Sequence, residues 1–147
     1  MLLLLAVMLT GCQKNAADTT APAVSKAKVS VNLEAHLTSV QEKADTLKAS
    51  LENDALTQTD MNLKAQELLE IWEAALSDVL NEAKNILSED EYAKLTDEQS
   101  AWIQEKEKAA EAAGKEFEGG SLHALTVNME AARITQERVY ALYELLK

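Results

Sequence analysis

The sequence of 147 residues holds a single cysteine, a single proline, four glycines and only six aromatic rings of the Trp, Tyr and Phe type. With Cys12 alone, no intrachain disulfide can form, so apolar burial must hold the folded part together. Strand signals are missing too. Runs of β-branched residues are few, period-two alternation is absent, and no Asn-Gly or Asp-Gly hairpin turn occurs. Catalytic patterns are equally scarce: there is no glycine-rich phosphate loop ahead of a helix, no serine beside a His and an acid in a recognisable pattern, and no second thiol. The chain therefore reads as a protein that is not an enzyme and needs no cofactor. A carboxylate-bridged metal site in a bundle uses a Glu three residues before a His. Here Leu33 precedes His36 and Gly120 precedes His123, so no metal is expected.

What is present begins with an apolar run from Leu2 to Leu9, too short to span a bilayer. Such a run ending in small residues reads as the apolar part of a secretory signal peptide. "LTGC", residues 9–12, resembles a bacterial lipobox, which implies a signal peptide over 1–11, cleavage before Cys12 and acylation of that cysteine. Each buried methylene contributes about 0.8 kcal/mol, so several acyl chains anchor stably. No Lys or Arg precedes the run, which points to a start upstream or to a weak signal. The other reading of the stretch is a hydrophobic N-terminal helix packed into the core. Residues 12–31, rich in small and polar side chains and holding Pro22, read as the lipidated Cys12 followed by a flexible linker. Residues 32–147 then form one domain.

The net charge is −11, and its distribution is uneven. Residues 57–147 carry 19 of the 25 Asp and Glu but 9 of the 14 Lys and Arg. An acidic surface repels nucleic acid and anionic lipid and attracts cationic proteins; solubility is the plainer use of the same charge.

Helical spacing dominates the domain. Leu33, Leu37, Val40, Ala44, Leu47 and Leu51 form one narrow stripe, predicting a helix over about 32–53. "TQTD" at 57–60 fits a capping box and opens a second helix reaching Leu87, with a wide apolar face that includes Leu68, Trp72, Leu76, Val79 and Ala83. "SEDE" at 88–91 and "TDEQ" at 96–99 also fit the box, with Leu95 as a staple before the latter. They predict a short helical turn over 89–94 and a separate helix over 97–113, facing inward with Trp102, Ile103, Ala109, Ala110 and Ala113. Gly114 then ends a helix and Phe117 supplies an anchor. Gly119 and Gly120 allow a sharp reversal, and Ser121 is placed to cap a last helix that buries Leu122, Leu125, Met129, Ala132, Val139, Leu142 and Leu146. The fold class expected is all-α, a small antiparallel bundle of about four helices.

Certain residues in this frame carry a resemblance. Asn62 in the second helix, Gln99 with Trp102 in "EQSAWI", Glu118 to Ser121 in "EGGS", and Thr135 with Arg138 in "ITQERV" occur in an order and spacing that resemble the LprI-like lysozyme-inhibitor family. The likeness covers about residues 57–146 and leaves out the first helix and the linker. It implies a small helical domain of an extracytoplasmic lipoprotein or secreted protein, with lysozyme as partner. The paired cysteines common among such proteins are missing, and Leu122 and Gln136 stand where Met and Arg are expected.

Two groups of residues are candidates for function. Gln99, Trp102, Thr135 and Arg138 should face one another if the last two helices pair about the glycine turn, as a structural cluster or as a partner contact; Trp72 is expected in the core. Asp97, Glu98, Glu105, Glu107, Glu111, Glu116 and Glu118, with Glu89, Asp90 and Glu91 ahead of them, are the preferred surface for a basic protein such as lysozyme. The competing reading is an envelope-assembly lipoprotein that docks another envelope component through the stripe of the first helix.

Overall fold

The computed structural model describes residues 21–52 and 55–147, with side chains described from Asn32 onward; the apolar run, Cys12 and the chain up to residue 20 lie outside the described residues. Four helices follow one another: α1 (Ala21–Leu51), α2 (Gln58–Ile86), α3 (Glu89–Gly114) and α4 (His123–Leu146), with a single 3-10 turn at Lys115–Phe117 before α4. No strand occurs among the described residues, and none of these helices is long and apolar enough to cross a membrane. The protein is an all-α helical bundle.

α1 begins well before the predicted start, so residues 21–31, read as linker, are helical in backbone. Pro22 is no obstacle. It sits in the first turn, where an amide N–H has no intrahelical partner to lose, and no glycine follows it within the helix. The starts of α2 and α3 are both set by local chemistry. Thr57 accepts from the Asp60 amide while the Asp60 carboxylate accepts from the Thr57 amide and hydroxyl, and Ser88 and Glu91 repeat the exchange. These hydrogen bonds from Thr57 hold the Asp60 carboxyl below the usual carboxylate range. The second box predicted for α3 does not form. The Thr96 hydroxyl donates back to the Tyr92 carbonyl at 2.9 Å, and α3 runs unbroken through "TDEQ" with Leu95 and Gln99 buried on one face. A hydroxyl four residues beyond a carbonyl has this alternative to capping, and the burial of Leu95 and Gln99 favours it.

Cross-helix pairs give the topology. Gln136 and Tyr140 both donate to Gln41, and Lys48 donates to Gln136, so α1 and α4 run antiparallel. Asp78 pairs with His36 at 3.0 Å on the antiparallel α1–α2 seam. Arg138 meets Gln99 while His123 meets Glu111, which makes α3 and α4 antiparallel as well. α2 and α4 are therefore parallel, and they make the most extensive helix pair. α1 lies mainly on α2 and α3 mainly on α4, with α1 and α3 out of contact among the described residues.

The core follows from the stripes. Leu33, Leu37, Val40, Ala44 and Leu47 are buried against Leu68, Trp72, Ala75, Leu76, Val79 and Ala83 of α2 and Ala132, Val139, Leu142, Tyr143 and Leu146 of α4. Fully burying one Leu or Val contributes about 1.5–3 kcal/mol. Trp72 is wholly buried, its ring tilted 58° against Tyr140 at 5.9 Å between centroids. A polar seam runs beside it: Gln41 accepts from both Gln136 and Tyr140, at 2.8 Å and 3.0 Å. Gln136 in turn accepts from Lys48 at 3.2 Å. An Arg at position 136 would face that ammonium with like charge, so Gln136 suits Lys48 in this chain.

Candidate functional site

The glycine turn is built from three different requirements. Gly114, the last residue of α3, is buried, and a Cβ there would lie 2.5 Å from the Val127 side chain, so its bareness is what lets α3 meet α4. Gly119 has φ of 75°, the left-handed region that L side chains rarely adopt. Gly120 follows, its amide donating to the Phe117 carbonyl at 2.8 Å. Ser121 does not cap α4. The helix begins at His123 with Leu122 before it and no side-chain cap, because the amides of His123 and Thr126 are taken by the carbonyls of Gly120 and Leu122. Leu122, expected in the core, is 39% exposed. Ser121 serves instead through its carbonyl, which accepts from the Asn62 amide at 3.3 Å and ties the turn to the start of α2; Gln58 donates to the Asn62 carbonyl and orients it.

Three members of the predicted cluster meet. The Arg138 Nε donates to Gln99 at 3.1 Å, and the guanidinium lies 5.8 Å from the centre of the Trp102 ring. Lys106 approaches the same ring at 5.5 Å while pairing with Glu73 at 2.8 Å. Thr135 is fully buried on the same helix as Arg138, but its hydroxyl is spent within α4 on the Ala131 carbonyl. One guanidinium nitrogen of Arg138 and the Trp72 indole N–H are buried without a hydrogen-bond partner among the described residues.

Trp102 itself is only half-buried, and Ile103 and Ala109, expected to face inward, are exposed. The reason lies in how α3 sits. Its buried positions are Leu95, Gln99, Ala110 and Gly114, a short-side-chain face that seats closely on α4 and keeps the helix away from α2. An open groove of about 570 Å³ remains between α2 and α3, bordered by Glu73, Leu76, Leu80, Trp102, Ile103 and Glu107. This groove has no signal in the periodicity, because it depends on which of two neighbours α3 chooses.

Asp97, Glu98, Glu105, Glu107, Glu111, Glu116 and Glu118 are all exposed. Helical spacing puts Asp97, Glu98, Glu105 and Glu111 on the side opposite the buried residues of α3, and Glu107 at its edge beside the groove. Glu111 pairs with His123 at 3.5 Å. Asp97, Glu98, Glu105 and Glu107 have no cationic side chain within ion-pair distance among the described residues. No group of three or more His, Cys, Asp or Glu side chains converges on a metal-sized site among those residues.

A family model described as "Lysozyme inhibitor LprI" matches residues 49–142. No curated protein and no solved structure matches the chain. The match takes in α2, α3, the glycine turn and nearly all of α4, including Asn62, Gln99, Trp102, Thr135 and Arg138, and it leaves out almost the whole of α1. On that span, most of the folded domain, the chain belongs to the LprI lysozyme-inhibitor family.

Proposed function

We propose that this chain is an extracytoplasmic binding module, tethered to membrane by lipid on Cys12, that inhibits lysozyme by binding it with the carboxylate-rich outer side of α3 and the adjoining glycine turn. It catalyses no reaction of its own. The observation that carries the reading, beyond family membership, is that Asp97, Glu98, Glu105 and Glu107 stand exposed without cationic partners on one helix. Uncompensated carboxylates gathered on one side set up a field that steers a basic protein. Such steering raises association rates by roughly 10- to 1000-fold and fades with salt. Lysozymes are basic, so their charge is complementary.

The envelope-assembly alternative loses its main support. The α1 stripe that would dock another envelope component is buried within this domain, against α2 and α4.

The test is hydrolysis of cell-wall substrate by lysozyme with and without the soluble protein starting at Gln13. Inhibition that weakens as salt rises is expected; unchanged hydrolysis at micromolar protein and low salt removes the inhibitor reading. Anchoring is separable. Replacing Cys12 by Ala should release the full chain from membranes, and retention in the membrane fraction would contradict the lipid tether.

A further inference from the structure

Exposed charge brings a cationic partner to α3 and orients it, but contributes little to holding it there. Lasting contact between proteins needs an apolar centre with aromatic anchors, ringed by polar groups that exclude water. The α2–α3 groove has that composition. Leu76 and Leu80 form its α2 side, and Trp102 and Ile103 its α3 side. Ile103 is 41% exposed in the middle of a helix, where nothing else in the described chain covers it. Trp102 is backed by the Arg138 guanidinium, 5.8 Å from its ring centre and bonded to Gln99, which favours an indole oriented before contact.

Charge decides what kind of partner fits. Glu107 borders the groove with no cation of its own among the described residues, whereas Glu73 is already paired across it with Lys106, which also lines it. The rim continues into the exposed carboxylates of α3. A neutral or acidic partner would bury the Glu107 carboxylate unpaired, which is costly, whereas a Lys or Arg side chain would pair with it. We propose that the groove between α2 and α3 is the docking site of a basic protein, which seats an apolar side chain against Leu80, Trp102 and Ile103 and sets a Lys or Arg side chain against Glu107. The proposal rests on the lysozyme-binding reading and locates the centre of that contact. It also separates Ile103 from the other large exposed apolar residues, since Leu63, Leu122 and Leu145 do not border the groove.

The experiment is calorimetric titration of purified lysozyme into the wild-type protein starting at Gln13 and into its Ile103→Ser, Ile103→Glu, Leu63→Ser and Leu145→Ser variants. Each variant is first checked for helix content and melting temperature. The Ile103 variants should weaken binding by about tenfold or more, the glutamate most, while Leu63→Ser and Leu145→Ser bind as wild type. A second readout needs no variant. In protein labelled with 5-fluorotryptophan, saturating lysozyme should shift the fluorine resonance of Trp102 and leave that of the wholly buried Trp72 in place. Wild-type protein that fails to bind lysozyme sinks both this proposal and the function it rests on. Binding that survives at Ile103→Ser, or a Trp102 resonance that stays put, sinks the groove alone. A Trp102 resonance that moves with protein concentration when lysozyme is absent shows a second copy of the chain in the groove and overturns the proposal.

Discussion

α1 and α3 flank the same α2–α4 pair, yet α1 buries its whole apolar row and α3 leaves Trp102 and Ile103 at an open groove. α1 offers a regular row of mostly large residues, Leu33, Leu37, Val40 and Leu47 with Ala44 among them, and each is buried. α3 offers Leu95, Gln99, Ala110 and Gly114, whose small members let it sit close to α4 but give it no bulk to fill the space toward α2. The small Ala110 and Gly114 bring α3 close to α4, and its bulkier Trp102 and Ile103 are left bordering the groove. The family match follows the same division, for it covers α3 with its groove and omits nearly all of α1.

The largest expected effect lies in the buried row of α1. Leu37→Ala should cost about 2–5 kcal/mol by leaving a cavity, whereas Ile103→Ala at the open groove should change stability by about 0.5 kcal/mol or less; urea melts of the two variants give the contrast directly. Equal losses would mean that the two sites are packed alike. Gly114→Ala comes next. The added methyl meets Val127, and overpacking of this sort costs about 1–3 kcal/mol. A Gly114→Ala/Val127→Ala double variant should recover much of that loss if the α3–α4 approach sets the groove width.

Acid should act on both seams together, because α2 is common to them. The Asp60 carboxyl titrates below its unfolded value, so its contribution is present above the unfolded pKa of about 3.9 and is lost as pH falls through the folded value. Asp60→Asn should therefore flatten the acid limb of a stability–pH curve and leave melting at pH 7 to 9 with an unchanged slope. The pair that spans the groove should also contribute little. Glu73→Gln should alter stability by about 1 kcal/mol or less, read by a double-mutant cycle with Lys106→Met.

Helix number, the α1 stripe and the boxes at Thr57–Asp60 and Ser88–Glu91 were legible because each is encoded within a few residues of itself. "TDEQ" misled for an equally local reason. A Thr hydroxyl can cap the amide ahead or bond the carbonyl behind, and burial of Leu95 and Gln99 decides between them from outside the segment. Ser121 misled because its carbonyl, not its side chain, is what Asn62 uses. The Arg138–Gln99–Trp102 contact was within reach once α3 and α4 were paired about the glycines. The groove beside it was not, nor was the Gln41 seam, since both depend on a third helix that pairwise pattern reading leaves out.

Alternation of helix direction has a practical outcome for how the molecule is held. The Glu34 charge acts on both Tyr143 and Lys147, so α1 enters the bundle at the pole where α4 finishes. The end of α1, the start of α2 and the connection over 115–122 occupy the other pole, joined there by Asn62 and Ser121. Immobilising the protein through Lys147 thus mounts it from the pole on which α1 arrives, and leaves the glycine turn pointing into the medium.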